Sequence, residues 1–213
     1  MDKYDIKREY RELYTCSAGG FTEVHVPEFG FLAVDGKGDP NSSPEYADAV
    51  EAIYSVAYAL KFASKTALGR DFVVGPLEGQ WWSEDMTAFH TRDKSSWSWR
   101  MLIAQPPWIT DHAVTDAVAS AGDKARAKKK PVPSLPRVRP FRMTEGRCLQ
   151  TLHVGPYDDE GPVLQRLHTQ VMPQRGLTFA GEHHEIYLGD PRRAAPENLR
   201  TILRQPVTGI GEP

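Results

Sequence analysis

The chain is predicted to be an α+β fold. Its plan is two tandem strand–helix–strand–strand modules, a pseudo-twofold antiparallel sheet with its helices on one side. Three observations predict it. Arg100-Met101-Leu102-Ile103-Ala104-Gln105-Pro106 and Arg200-Thr201-Ile202-Leu203-Arg204-Gln205-Pro206 each read as a final strand that stops at Gln-Pro. Each is preceded by the same order of strand, turn, helix, strand and loop, the mark of an internal duplication. A further helix and a proline-rich stretch separate the copies. Two such half-sheets leave a concavity on the pseudo-twofold axis, a natural ligand site.

Composition narrows the classes. The 213 residues are 40% hydrophobic, enough for a sizeable core. A formal net charge of −2 argues against a dedicated nucleic-acid or anionic-membrane protein. The two cysteines, Cys16 and Cys148, lack metal-site spacing and read as free thiols in a reducing cytoplasm. Neither a leader-like apolar region nor a run long enough for a membrane span is present, so a cytoplasmic protein is expected.

Taken in order, residues 1–20 are polar and mixed and are expected to form a surface arm. Residues 21–35 read as extended chain interrupted at Pro27, and Asp35-Gly36-Lys37-Gly38-Asp39-Pro40 must turn. Ser43-Pro44 opens a helix as N-cap and first helical residue. Tyr46, Ala49, Val50, Ile53, Ala57 and Leu60 recur at helical spacing. Tyr54, Tyr58 and Phe62 form a second stripe, which either completes the core or walls a pocket. Phe72–Pro76 and Leu77–Trp82 follow as strands, Ser83–Ser95 with His90 as a loop, and Ser96–Gln105 as a strand. On that strand Trp97, Trp99, Met101 and Ile103 share a face. Thr110 caps a helix to about Lys130, whose basic end suits the helix dipole better than a nucleic-acid patch. Pro131–Pro140 reads as a semi-rigid linker. Then come a strand at Cys148–Val154, a helix at Glu160–Met172, a strand at His183–Leu188 and a last strand at Leu199–Val207. The expected organisation is an arm (1–20), one domain (21–207) of two repeats (21–107 and 141–207) joined through 108–140, and a tail (208–213).

His183-His184-Glu185-Ile186-Tyr187 carries the most chemistry. Alternation puts His183, Glu185 and Tyr187 on one face and Ile186 with Leu188 on the other. If the first face is covered, Glu185 is a buried acid. Such an acid must find a partner, stay protonated or meet a cationic ligand. His25, His90, His112, His153, His168, His183 and His184 are scattered, and the one adjacent pair points apart, so no zinc site and no cofactor are expected.

Several motifs together resemble the GyrI-like small-molecule-binding domain. They are Phe31–Asn41, Pro44-Glu45-Tyr46, Tyr54–Tyr58, Pro76–Trp82, Trp97-Ser98-Trp99, Gln105-Pro106 and His184–Arg193. The resemblance spans about residues 21–207 and implies two SHS2-like modules, an aromatic-lined pocket, and a central glutamate that matches Glu185. The residues before Phe21 are too few for a DNA-binding segment, so the chain resembles the stand-alone subgroup. Some members of that subgroup resemble hydrolases that open the cyclopropane of DNA-alkylating natural products within an aromatic cage.

On this reading Glu185 and Tyr187 are the catalytic candidates. Glu185 orients or deprotonates a water, and Tyr187 donates to developing negative charge. The ligand-binding candidates are Tyr54, Tyr58, Phe62, Glu78, Trp82, Trp97, Trp99, Met101, Trp108 and His183. Trp82 is favoured over Trp81 because it shares a face with Glu78 and Gln80. Rings supply stacking and cation–π attraction of roughly 0.5–2 kcal/mol each. The expected partner is a planar, aromatic or cationic small molecule, with no nucleic acid or membrane. A protein partner and the oligomeric state stay open. The rival functions are a non-catalytic drug-sequestering or effector-sensing module acting through a protein partner, and an inhibitor-type interaction protein.

Overall fold

The computed structural model describes residues 3–83, 94–191 and 193–211, apart from the side chain of Ser95. Most of the loop expected over Ser83–Ser95, His90 included, lies outside the described residues, as does Arg192. In chain order the elements are α1 (Ile6–Glu9), β1 (Thr22–Lys37), α2 (Pro44–Ala67), β2 (Leu77–Trp82), β3 (Ser98–Ala104), α3 (Asp111–Ala127) and β4 (Arg139–Val154). They continue with α4 (Gly161–Arg166), a π-helical turn (Leu167–Val171), α5 (Met172–Gln174), β5 (Leu177–Phe179), β6 (His183–Tyr187) and β7 (Arg200–Gly209). The fold is α+β with antiparallel pairing, as the order of elements predicts. The chain gathers into two compact units. The first takes Met1–Glu9, Phe29–Gly75 and Gly79–Met143; the second takes Tyr10–Glu28, Pro76–Glu78 and Thr144–Pro213.

In the first unit β1 pairs antiparallel with β3, from Phe31 opposite Ala104 to Lys37 opposite Ser98. The pairing sets Gly36 opposite Trp99. The benzo end of the indole lies against that glycine: a Cβ there would stand 2.1 Å from Trp99 Cη2. Only a residue without a side chain lets this ring seat. The helix α2 starts where expected, with Ser43 Oγ accepting from the Tyr46 amide at 3.4 Å and Pro44 at its first position. Its buried face is Ala49, Ala52, Ile53, Val56, Ala57 and Leu60. The small residues let it lie close on β3 and α3. Thr110 caps α3 through Oγ1 and the Ala113 amide, 3.2 Å.

Five expectations change. The first unit's share of the N-terminal arm is not a surface feature. Ile6 is buried, and Tyr4 makes a bridge with Phe72 that replaces the strand expected over Phe72–Pro76. The extended chain expected to break at Pro27 is one continuous strand. The proline-rich linker holds a 3-10 turn at Leu135–Arg137, and β4 already begins at Arg139; Pro140 is tolerated because it lies at a strand's opening. The last change is in the second unit, where the helix expected over Glu160–Met172 is split. Pro173 supplies no N–H for the turn before it, and that turn is π-helical.

In the second unit β7 pairs antiparallel with β4 along Arg200–Pro206 and with β6 along Thr201–Arg204. Its end, Val207–Gly209, pairs with β5, a short strand not anticipated from sequence. Leu149, Leu167, Met172, Leu177 and Val207 form a core, with Phe21 and Val171 against it. Here too the arm is buried, through Leu13 and Tyr14.

Candidate functional site

Register decides which side chains share a face, because residues directly opposite on paired strands point the same way. Across the second unit Glu185 stands abreast of Leu203 and Thr151, and Tyr187 abreast of Thr201 and His153. Leu149, two residues before Thr151 and so on the same face, packs with Leu167 and Met172. This is therefore the face covered by the helical segment. The Glu185 carboxylate is buried, 9% exposed. Tyr187 Oη donates to its Oε2 at 2.8 Å, and His183 Nε2 lies 3.6 Å from its Oε1. Tyr157 packs edge-on to Tyr187 with centroids 5.4 Å apart. Among the described residues no lysine or arginine pairs with Glu185. The structure thus brings Glu185, Tyr187 and His183 together as alternation requires. The one proton of the Tyr187 hydroxyl is directed at Glu185 here. Among the described residues, two polar groups of this face are buried without hydrogen-bond partners: both ring nitrogens of His183, and Thr201 Oγ1.

The opposite face carries a network that sequence reasoning missed. His184, Arg204 and Gln150 stand abreast on β6, β7 and β4. His184 Nδ1 is 2.9 Å from Glu145 Oε1, and its Nε2 is 3.0 Å from Glu78 Oε2. Arg204 donates to Glu145 Oε2, to Gln150 Oε1 and to the Leu13 carbonyl. Tyr14 Oη donates to Glu78 Oε1 at 2.9 Å, so both oxygens of Glu78 are engaged. Two carboxylates thus face an imidazole and a guanidinium, all buried. Burial alone would push the His184 pKa down; Glu145 and Glu78 overcome it and raise it to about 9. Burial pushes Glu145 up, and His184 and Arg204 more than reverse this, holding it near about 2. Tyr14 is raised by burial and by the Glu78 charge. Glu78, expected to contact ligand, is instead locked into this network. Burial pushes the Cys16 thiol up to about 11 and raises Cys148 as well, disfavouring the thiolate of each.

The aromatic candidates belong to the first unit. Tyr46 lies 5.2 Å from Trp99 and 6.2 Å from Trp81, and Trp81 lies 5.8 Å from Trp97. Trp81, not Trp82, therefore joins the tryptophan cluster. Trp82 is on the other side of β2, 5.6 Å from the Arg100 guanidinium. Arg100 itself is held by Asp35 and stacks on Phe141. Trp99 and Met101 are wholly buried and have no surface to offer a ligand. Trp108 packs against Tyr4, Phe72 and Arg70 and donates to Ser64 Oγ. Ser64 and Tyr46 are about 27 Å apart along α2 at about 1.5 Å per residue, so Trp108 does not rim that cluster. Tyr58 and Phe62 are exposed on α2 and Tyr54 is half-buried, an apolar stripe left open. The missing signal for Tyr46 was its place in the first turn of α2, which aims it at β3.

Among the described residues no helix is long and apolar enough to cross a membrane. A family model for the GyrI-like small-molecule-binding domain matches residues 21–208. The chain is 40% identical to an uncharacterized conserved protein from Listeria innocua, covering 97% of this chain and 100% of that one, with a TM-score of 0.85. It is 38% identical to a hydrolase from Listeria innocua over the same shares, with a TM-score of 0.81. The C-terminal domain of EcmrR shares the fold at 10% identity and a TM-score of 0.57, covering 89% of this chain and 98% of that one. Comparison with curated proteins finds no match.

Proposed function

The chain belongs to the GyrI-like family of small-molecule-binding domains, and from that premise we propose that it binds planar, aromatic or cationic xenobiotics through Glu185 and hydrolyses strained cyclopropanoid alkylators held there. The carrying observation is a buried carboxylate whose contacts are a phenol and an imidazole, with no lysine or arginine of the described residues to balance it. A buried anion without a fixed counter-charge is completed by a cationic or electron-poor ligand. The two carboxylates on the opposite face make the contrast, since each already has a buried cation. Likeness at 37–38% identity to Listeria proteins described as hydrolases supports the catalytic part. Tyr187 fixes one carboxylate oxygen, and Tyr157 backs its ring. The open aromatic stripe of α2, Tyr58 and Phe62, is a separate surface on which flat molecules can stack.

The test is binding of a rhodamine-type cationic dye to wild type and to Glu185→Gln. The mutant binds at least about tenfold more weakly, about 1.4 kcal/mol; equal affinity removes Glu185 from the site. Incubation with a cyclopropanoid indole alkylator then yields, by mass spectrometry, the ring-opened product carrying one added water. Dye binding without product leaves sequestration as the function.

A further inference from the structure

We propose that His183 is a catalytic residue of this site: the base that takes the proton of the attacking water, with Glu185 as its carboxylate partner. The proposal rests on the hydrolytic reading above and assigns its proton transfer. His183 is 9% exposed, and neither ring nitrogen has a hydrogen-bond partner among the described residues. A buried imidazole that makes no hydrogen bond is uncommon, because unpaired buried nitrogens are costly. Among the described residues its ion-pair neighbour is Glu185, with Nε2 3.6 Å from Oε1. That is beyond hydrogen-bond range and within reach of the tightening that accompanies substrate binding. The other carboxylate oxygen is occupied by the Tyr187 hydroxyl. Glu185 is thereby held with one oxygen toward the imidazole. An Nε2–H turned to Oε1 leaves the Nδ1 lone pair, closed to bulk solvent here, for a water that enters with the ligand, the division of labour of a carboxylate–histidine pair.

Among the described residues of β4, β6 and β7, the other titratable groups of this face are otherwise engaged. The other histidine, His153, lies 3.0 Å from the Pro156 carbonyl through Nε2. Tyr157 packs on Tyr187, β7 brings Leu203 and Thr201 to this face, and β4 brings Thr151. His184, one residue along, faces the other way and is charge-locked between Glu145 and Glu78.

In the step itself, water oxygen bonds to the strained ring carbon as a water proton moves to His183 Nδ1. The ring C–C bond breaks, and its electron pair moves into the ligand's conjugated carbonyl, which becomes an enolate or phenolate oxygen. That oxygen takes the proton back from the imidazolium, directly or through solvent. The sum is ligand plus water, and the base is restored.

The experiment measures kcat and KM for a cyclopropanoid indole alkylator against pH, with rhodamine-dye affinity in parallel, for wild type, His183→Gln and His183→Asn. Thermal melts verify folding. Loss of at least about 100-fold in kcat is expected, with KM and dye affinity within about threefold of wild type. The acid limb of the wild-type kcat profile disappears in the residual activity. A variant that keeps wild-type kcat and its acid limb overturns the base role alone. A wild type that binds dye and forms no product overturns the hydrolytic reading and the base role with it. Should both variants fail to fold, 15N spectra of the wild-type ring at the pH of maximal turnover decide: protonated Nε2 with unprotonated Nδ1 supports the assignment, and the reverse tautomer refutes it.

Discussion

Gly36 and Trp99 show how much a single contact can decide. The indole sits where a Cβ on residue 36 would have to be, 2.1 Å from Cη2, and Trp99 is wholly buried. Gly36→Ala is therefore an overpacking mutation, expected to cost about 1–3 kcal/mol. Urea unfolding measures this as a lower midpoint at unchanged slope. Gly36→Ala combined with Trp99→Leu recovers part of the loss, and a strictly additive pair would deny the contact. From sequence, the glycines after Asp35 read as turn residues. What makes Gly36 necessary is the register of β1 against β3, which local composition does not encode. Glu185 is the opposite case. Its face followed from alternation alone, and Tyr187 and His183 are beside it as that predicts.

At the scale of the element, β6 is one strand with two chemistries. One face presents Glu185 without a lysine or arginine among the described residues; the other presents His184 inside a buried, charge-balanced network. Mutations on the two faces should separate accordingly. Arg204→Met strips Glu145 of its guanidinium and leaves the buried charges out of balance, so stability falls by about 3–5 kcal/mol. Glu185→Gln strands no fixed cation and costs clearly less stability than Arg204→Met, while dye affinity collapses. Chemical denaturation of both variants checks the pair; equal losses would mean that both faces are structural. Period-two reasoning separated His183 from His184 correctly. It did not find the partners of His184, because Glu78, Glu145 and Arg204 come from three distant segments. The tryptophans illustrate the same limit. Alternation set Trp81 and Trp82 on opposite sides, and the ring packed beneath α2, from Tyr46, selected Trp81.

For the whole molecule, the buried network sets a pH window. His184 has a folded pKa near 9, above the ordinary 6.5. Its contribution to stability is complete below about pH 6.5 and is lost as pH rises through 9, about 3 kcal/mol in all. Glu145 runs the other way: lowered from 4.5 to about 2, it contributes fully above pH 4.5 and loses its effect as pH falls through 2. Equilibrium unfolding against pH should show a maximum between about 4.5 and 6.5 and a decline toward pH 9. His184→Gln should remove the alkaline decline; a decline that persists in the mutant assigns it to another group. The N-terminal segment belongs to this ledger, since the Leu13 carbonyl and the Tyr14 hydroxyl close the network's outer side. Composition marked that segment as polar, and the three apolar residues that bury it, Ile6, Leu13 and Tyr14, are too sparse to form a period. By itself the sequence determined the class of elements and the side of β6 on which Glu185 stands, because periodicity and caps act over a few neighbouring residues; the stop expected at Gln205-Pro206 does not occur, since pairing with β5 carries β7 on to Gly209. Only the tertiary structure decided which tryptophan joins the cluster, that Glu78 is engaged by Tyr14 and His184, and that among the described residues His183 makes no hydrogen bond. Those outcomes depend on strand register and on charges contributed by residues far apart in the chain, whose interactions exist only once they are buried together.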